Sequence, residues 1–149
     1  DHPLVASSLD NLGGVSQAQG NYEAARRYWE RGLAIREKAL GPDHPDFASS
    51  LNSLGNVAKA EGKNEDARRY WERALTVWEK ALGPDHPSVA LSLSNLGELA
   101  YEEGRYEDAR GYWERALAIR EKALSPDHPY VLEARKNLEK ASQSLEHQR

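Results

Sequence analysis

The sequence predicts an all-α chain, a right-handed α-solenoid of three helix-turn-helix repeats closed by a C-terminal capping helix. Three observations carry that expectation. The triplet Asp-His-Pro stands at residues 1–3, 43–45, 85–87 and 127–129, 42 residues apart each time. The string Tyr-Trp-Glu-Arg recurs at 28–31, 70–73 and 112–115 with the same spacing. Within each period the apolar residues return at helical intervals, not in strand-like alternation. Residues 1–42 and 43–84 are identical at 27 positions, too many for chance. The 149 residues therefore read as a single array, 1–149, with repeats 1–42, 43–84 and 85–126 and a partial fourth at 127–149.

Each repeat reads as two helices. The first starts at the proline of the triplet, where a missing N–H costs nothing in a first helical turn. The capping residue stays open between two neighbours. Asp43 has the better capping side chain, and His44 directly precedes proline and is biased away from helix. Ala48, Leu51, Leu54 and Val57 form the apolar stripe, and Gly62 stops the helix, as Gly20 and Gly104 do in the other repeats. The second helix spans about Asn64 to Leu82, with Ala67, Trp71, Ala74, Trp78 and Leu82 on one face, and Gly83-Pro84 ends it. Exposed pairs Glu23–Arg27 and Glu65–Arg69, acid first and four apart, add roughly 0.2–0.5 kcal/mol each. A lone helical pair cannot cover its apolar face, so the repeats stack around a continuous core. In the last segment Pro129, Val131 and Leu138 keep the first-helix pattern. No glycine stop follows, and the polar run 139–144 closes the stack against water.

Composition removes several classes. There is no cysteine, which excludes disulfides, thiol nucleophiles and thiolate metal sites. No apolar run approaches the roughly 18–20 residues of a membrane span, and the net charge of −4 gives no general nucleic-acid footprint. The chain opens on Asp1 in mid-pattern without methionine, and reads as a piece of something longer. A cytoplasmic setting is compatible with the missing cysteines.

The run Leu54-Gly55, then Gly62, Ala67, Trp71 and Ala74, is similar to the tetratricopeptide-repeat signature of large, small and aromatic positions. The 42-residue period exceeds the usual length of about 34. With Ala-Leu-Gly-Pro-Asp-His-Pro at the junctions, it resembles the kinesin-light-chain type, also common in bacterial multidomain regulators. Two departures imply closer helix packing: Gly32, where the other repeats have Ala74 and Ala116, and Ser16, Ala58 and Ala100, where many such repeats carry an aromatic.

The resemblance implies a non-enzymatic protein-interaction module, whose first helices line a concave groove for a peptide or partner helix. By register it assigns Asp10 and Asn11 in the first repeat, and Asn52, Asn56 and Lys59 in the second. In the third it assigns Asn95, Glu98, Tyr101 and Glu102, and in the cap Lys136 and Asn137. Asparagine suits peptide recognition because one side chain can donate to and accept from a backbone amide. Chaperone-binding members grip a terminal carboxylate with lysine, asparagine and arginine, but Asp10 and Gly14 occupy the places of the first-repeat lysine and asparagine, so no carboxylate clamp is expected. The basic rows that kinesin light chains offer to acidic peptides are missing too. Residues 85–126 hold eight acids against five bases, and Glu98 and Glu102 face the groove, which favours a ligand with a basic side chain.

No catalytic constellation, cofactor site or metal site is expected. The four Asp-His-Pro copies are a repeat apart and cannot share one ion, so they read as loop caps. Gly13-Gly14 lies inside a helix and lacks phosphate-loop spacing. Trp29, Trp71 and Trp113 read as core anchors; Trp78, standing where Arg36 and Arg120 stand, either packs or meets a partner. The Arg68–Arg73 segment is neutralised by Glu65, Asp66 and Glu72, so no nucleic acid is expected, and no membrane. The alternative is a structural spacer or self-assembling array that stacks end to end without a peptide ligand.

Overall fold

A computed structural model describes residues 2–149; Asp1, the start of the first Asp-His-Pro triplet, lies outside the described residues. Local sequence starts the helices. A residue before proline is held extended, and His44 accordingly has φ −82° and ψ 140°, the conformation of a helix cap. Its Nδ1 accepts the Asp46 amide N–H at 3.1 Å, so the histidine, not Asp43, is the capping residue. His2, His86 and His128 accept the amides of Leu4, Ser88 and Tyr130 at the same 3.1 Å. The aspartates act elsewhere: Asp85 meets Lys122 at 3.0 Å and Asp43 meets Lys80 at 3.8 Å, both in solvent, where such pairs contribute little.

The described residues form α1 (Pro3–Ala18), α2 (Tyr22–Leu40), α3 (Pro45–Ala60), α4 (Asn64–Leu82), α5 (Pro87–Glu102), α6 (Tyr106–Ala123) and α7 (Pro129–His147). No strand occurs among them, and the chain is an all-α helical repeat. None of these helices is long and apolar enough to cross a membrane. Gly62 takes φ 79° just past α3, a left-handed conformation that a side chain would strain. The residues gather into two compact units, one ending at Ala81 and one running Leu82–Arg149.

In the N-terminal unit α1 packs on α2 and α2 on α3. Phe47, Leu51, Leu54 and Val57 of α3 are buried, with the Arg73 guanidinium 5.0 Å above the Phe47 ring. Trp78 is buried as well, and its Nε1 donates to the Pro45 carbonyl at 3.1 Å, which settles it as a packing residue. Arg26 crosses from α2 to Glu61 at the end of α3, 3.1 Å away. Glu23 meets Arg27 at 2.7 Å as expected, whereas Glu65 meets Arg68, three residues on, at 2.5 Å. On α1 the large residues Leu4, Val5, Leu12 and Val15 are exposed, although Phe47, Leu54 and Val57 at the registers of the last three are buried in α3.

In the C-terminal unit α5 packs on α6 and α6 on α7. Ala100, Ala109, Trp113 and Ala141 form one buried cluster, with Tyr101 and Tyr112 against it. The same close approach fixes helix spacing in both units. A Cβ on Gly13, Gly55 or Gly97 would stand closer than 3.0 Å to the indole of Trp29, Trp71 or Trp113 respectively. Gly97→Ala must therefore displace the Trp113 ring, and urea unfolding should show a loss of about 1–3 kcal/mol. Gly14→Ala, whose added Cβ meets nothing within 4 Å, should instead gain about 0.5–1 kcal/mol.

Candidate functional site

The site is built on α5, α6 and α7 of the C-terminal unit. Val89, Leu93, Leu96, Leu99 and Ala100 bury one face of α5. Helical spacing then leaves Leu91, Asn95, Glu98 and Glu102 on another face, and sets Tyr130, Glu133, Asn137 and Lys140 in a row along α7. Between the rows, with Ile119 and Arg120 of α6 at the base, lies a cavity of about 490 Å³. It has an apolar end of Leu91, Ile119, Leu124 and Tyr130 and a polar wall of Asn95, Glu98, Glu133 and Asn137. A second hollow of about 140 Å³ shares Glu98, Glu133 and Asn137 and adds Tyr101, Glu102, Trp113 and Lys140. Tyr101 is held there by the Lys140 ammonium 4.2 Å from its ring and by a 2.9 Å hydrogen bond between its hydroxyl and that of Ser144.

Arg120 sits half-buried in the larger cavity. Its Nη1 approaches the Tyr130 carbonyl at 3.5 Å and its guanidinium lies 5.4 Å from the Tyr130 ring. Burial pulls the guanidinium below its ordinary pKa, and the Glu133 carboxylate and Tyr130 oppose that shift. It stays charged at neutral pH.

The N-terminal unit handles the matching arginine differently. Arg36 donates to Asp10 through both arms of its guanidinium, Nη1 to Oδ1 at 2.9 Å and Nη2 to Oδ2. The same Nη1 reaches the Ser50 hydroxyl at 2.7 Å. Gly32 makes room for this pin, since a Cβ there would stand 3.1 Å from Asp10 Oδ1.

The tetratricopeptide repeat family matches residues 5–46, 46–122 and 90–148. This chain belongs to that family. Its tetratricopeptide repeats are kinesin-light-chain-like in solved structures as well. A protein of Podosopora anserina described as a kinesin light chain with nearly identical TPR-like repeats is 28% identical at a TM-score of 0.85, over 97% of this chain and 68% of that one. BtubC (BKLC) from P. vanneervenii is 24% identical at a TM-score of 0.89, over 97% of this chain and 58% of its own. The first TPR of Spaghetti (RPAP3), bound to the HSP90 peptide SRMEEVD, is 19% identical at a TM-score of 0.70, over 97% of this chain and 95% of that one. The last two likenesses are of fold alone. No match was found among curated proteins.

The residues that the groove resemblance singled out divide by unit. Asn95, Glu98 and Asn137 share the larger cavity, and Glu98, Tyr101, Glu102 and Asn137 the smaller. Lys136 is exposed outside the lining of both. In the N-terminal unit Asn11 is exposed on α1, Lys59 is half-buried and Asn52 is buried. Asp10 is held by Arg36, and Asn56 accepts the Trp71 indole N–H at 3.3 Å. Sequence reading missed Arg120, Tyr130 and Glu133. The signal for Glu133 was present, because it stands one helical turn before Asn137, whereas Arg120 lies on the second helix of its repeat.

Among the described residues no group of three or more acids and histidines is placed to hold a metal. The Asp10–Arg36 pin generates a stability prediction. Asp10→Ala and Arg36→Ala should each cost about 1–3 kcal/mol in denaturant unfolding. The double variant should lose less than their sum, because the second substitution removes an already orphaned partner.

Proposed function

We propose that this chain is a non-enzymatic protein-interaction module that holds a peptide or partner helix on the α5–α7 face of its C-terminal unit. The observation that carries this reading is the amphipathic cavity of about 490 Å³, with Leu91 and Tyr130 at one end and Asn95 and Asn137 on facing helices. Pockets of this volume that combine apolar walls with a few polar groups fit ligand side chains. Two asparagines on opposite sides offer donors and acceptors to a peptide backbone. Glu98, Glu102 and Glu133 favour a basic side chain beside them by charge complementarity. Support of a coarser kind comes from the Spaghetti (RPAP3) domain, which has this fold and is bound to a peptide.

Peptides selected by display against the intact chain test the reading. Asn95→Ala combined with Asn137→Ala should weaken them about tenfold or more, in a chain whose circular dichroism shows it still folded. Equal binding by the variant, or failure to select any peptide, would remove the groove mechanism.

End-to-end self-association without a peptide is the second reading, and one observation favours it. Leu4, Leu12 and Val15 on α1 are 72%, 47% and 56% exposed, an apolar face of the kind that packs against another helix. Under that reading sedimentation mass rises with concentration and Leu12→Glu abolishes the rise. A constant mass on dilution rejects it.

A further inference from the structure

Arg36 and Arg120 occupy the same register in their repeats. In the N-terminal unit the guanidinium has a carboxylate on one side, Asp10, and a hydroxyl on the other, Ser50 of the next helix. At the matching places around Arg120 the carboxylate is replaced by Ser94 and the hydroxyl by Ala134. The arginine is retained and both of its partners are gone. Among the described residues no carboxylate lies at ion-pair distance from Arg120, and its hydrogen bond to the Tyr130 carbonyl is a long one at 3.5 Å. The Ser94 hydroxyl is buried and makes no hydrogen bond. Both side chains line the larger cavity, on the side where Asp10 fills the N-terminal unit.

We propose that this cavity receives the carboxylate of an aspartate or glutamate side chain from a bound peptide, seated on the Arg120 guanidinium and the Ser94 hydroxyl. The incoming acid restores in trans the arrangement that Asp10 makes in cis. A guanidinium fork suits a carboxylate because it offers two parallel N–H donors, and a hydroxyl supplies a further one. The apolar end of the cavity, Leu91, Ile119 and Tyr130, excludes water from the pair and lengthens the reach of the charge. Glu98 and Glu133 line the same cavity and repel a run of acids, so the site selects one carboxylate. A basic residue further along the ligand then falls beside Glu98 and Glu102. The inference rests on the peptide-binding reading above and specifies the chemistry of its ligand.

The test uses a display library whose random peptides are covered at both ends, so that side-chain carboxylates are offered and terminal ones are not. Selected peptides should share one acidic residue. Changing that residue to its amide should weaken binding to the natural chain about tenfold or more, and should make no difference to Arg120→Met. Ser94→Asp supplies the carboxylate internally. It should weaken the acidic peptides about tenfold while raising the melting temperature, and Arg120→Met in the same chain should remove that rise. Glu133→Gln should tighten the same peptides. Peptides that bind equally as acid and amide overturn the inference and leave the peptide-binding reading standing. So does a folded Arg120→Met chain of undiminished affinity. Binding confined to the same peptides carrying a free C-terminus would assign the carboxylate to the chain end and reject a side chain. Selection of no peptide at all overturns both.

Discussion

An indole seated on bare helix backbone sets the spacing on which the rest of this structure depends. Trp71 on Gly55 and Trp113 on Gly97 bring two helices closer than any side chain at the glycine allows. At that distance small residues suffice to finish the interface, and Ala67, Ala74, Ala109 and Ala116 are fully buried. Ala58 and Ala100 are buried as well, and Ala100 lies in the cluster around Trp113. Trp29 on Gly13 follows the pattern, with a less deeply buried ring. Once helix spacing is fixed by backbone contact, the faces away from the indole can vary without disturbing the core.

One register uses that liberty fully. The pair Asp10 and Arg36 ties α1 to α2 and, through Ser50, to α3. At the next repeat the pair becomes Asn52 and Trp78, and the indole N–H anchors to the start of α3 at Pro45. At the third it becomes Ser94 and Arg120, and a cavity stands where side chains stood. A charge pair, an aromatic and a void occupy equivalent places in one array. The fold tolerates all three because none of them bears on the glycine contact. Such a void leaves the polar groups of its register, Ser94 and Arg120, in its walls.

The sequence made the helices legible because their starts and stops are local. A histidine before proline and a glycine with positive φ act within three or four residues, and period and phase survive in the string itself. The indole stripe was legible for the same reason, and Gly55 stood in the repeat signature, although the seating of each indole on a glycine sixteen residues earlier was not legible. Asp10 was read as a groove residue, and its carboxylate meets an arginine 26 positions away, a pairing that no periodicity encodes. Arg120 and Glu133 escaped notice because the groove was assigned to first helices alone and to one stripe of the cap. A cavity is harder still to read, since it is defined by what Ser94 and Ala134 do not fill.

The histidine caps have a further consequence. Each bond spans two residues, from a histidine ring to the amide just past its proline, and owes nothing to the neighbouring repeats. The glycine seat and its indole likewise lie within one 42-residue period. A tandem duplication of that length therefore copies a helix start, a helix stop and a complete interhelical seat together. The new copy carries its own local folding signals, and a neighbouring repeat covers the apolar face it cannot bury alone. Divergence can then act at once on the single register that decides whether a repeat is pinned, plugged or hollow. An array of this kind lengthens by recombination and gains specificity by point substitution, as two separable steps.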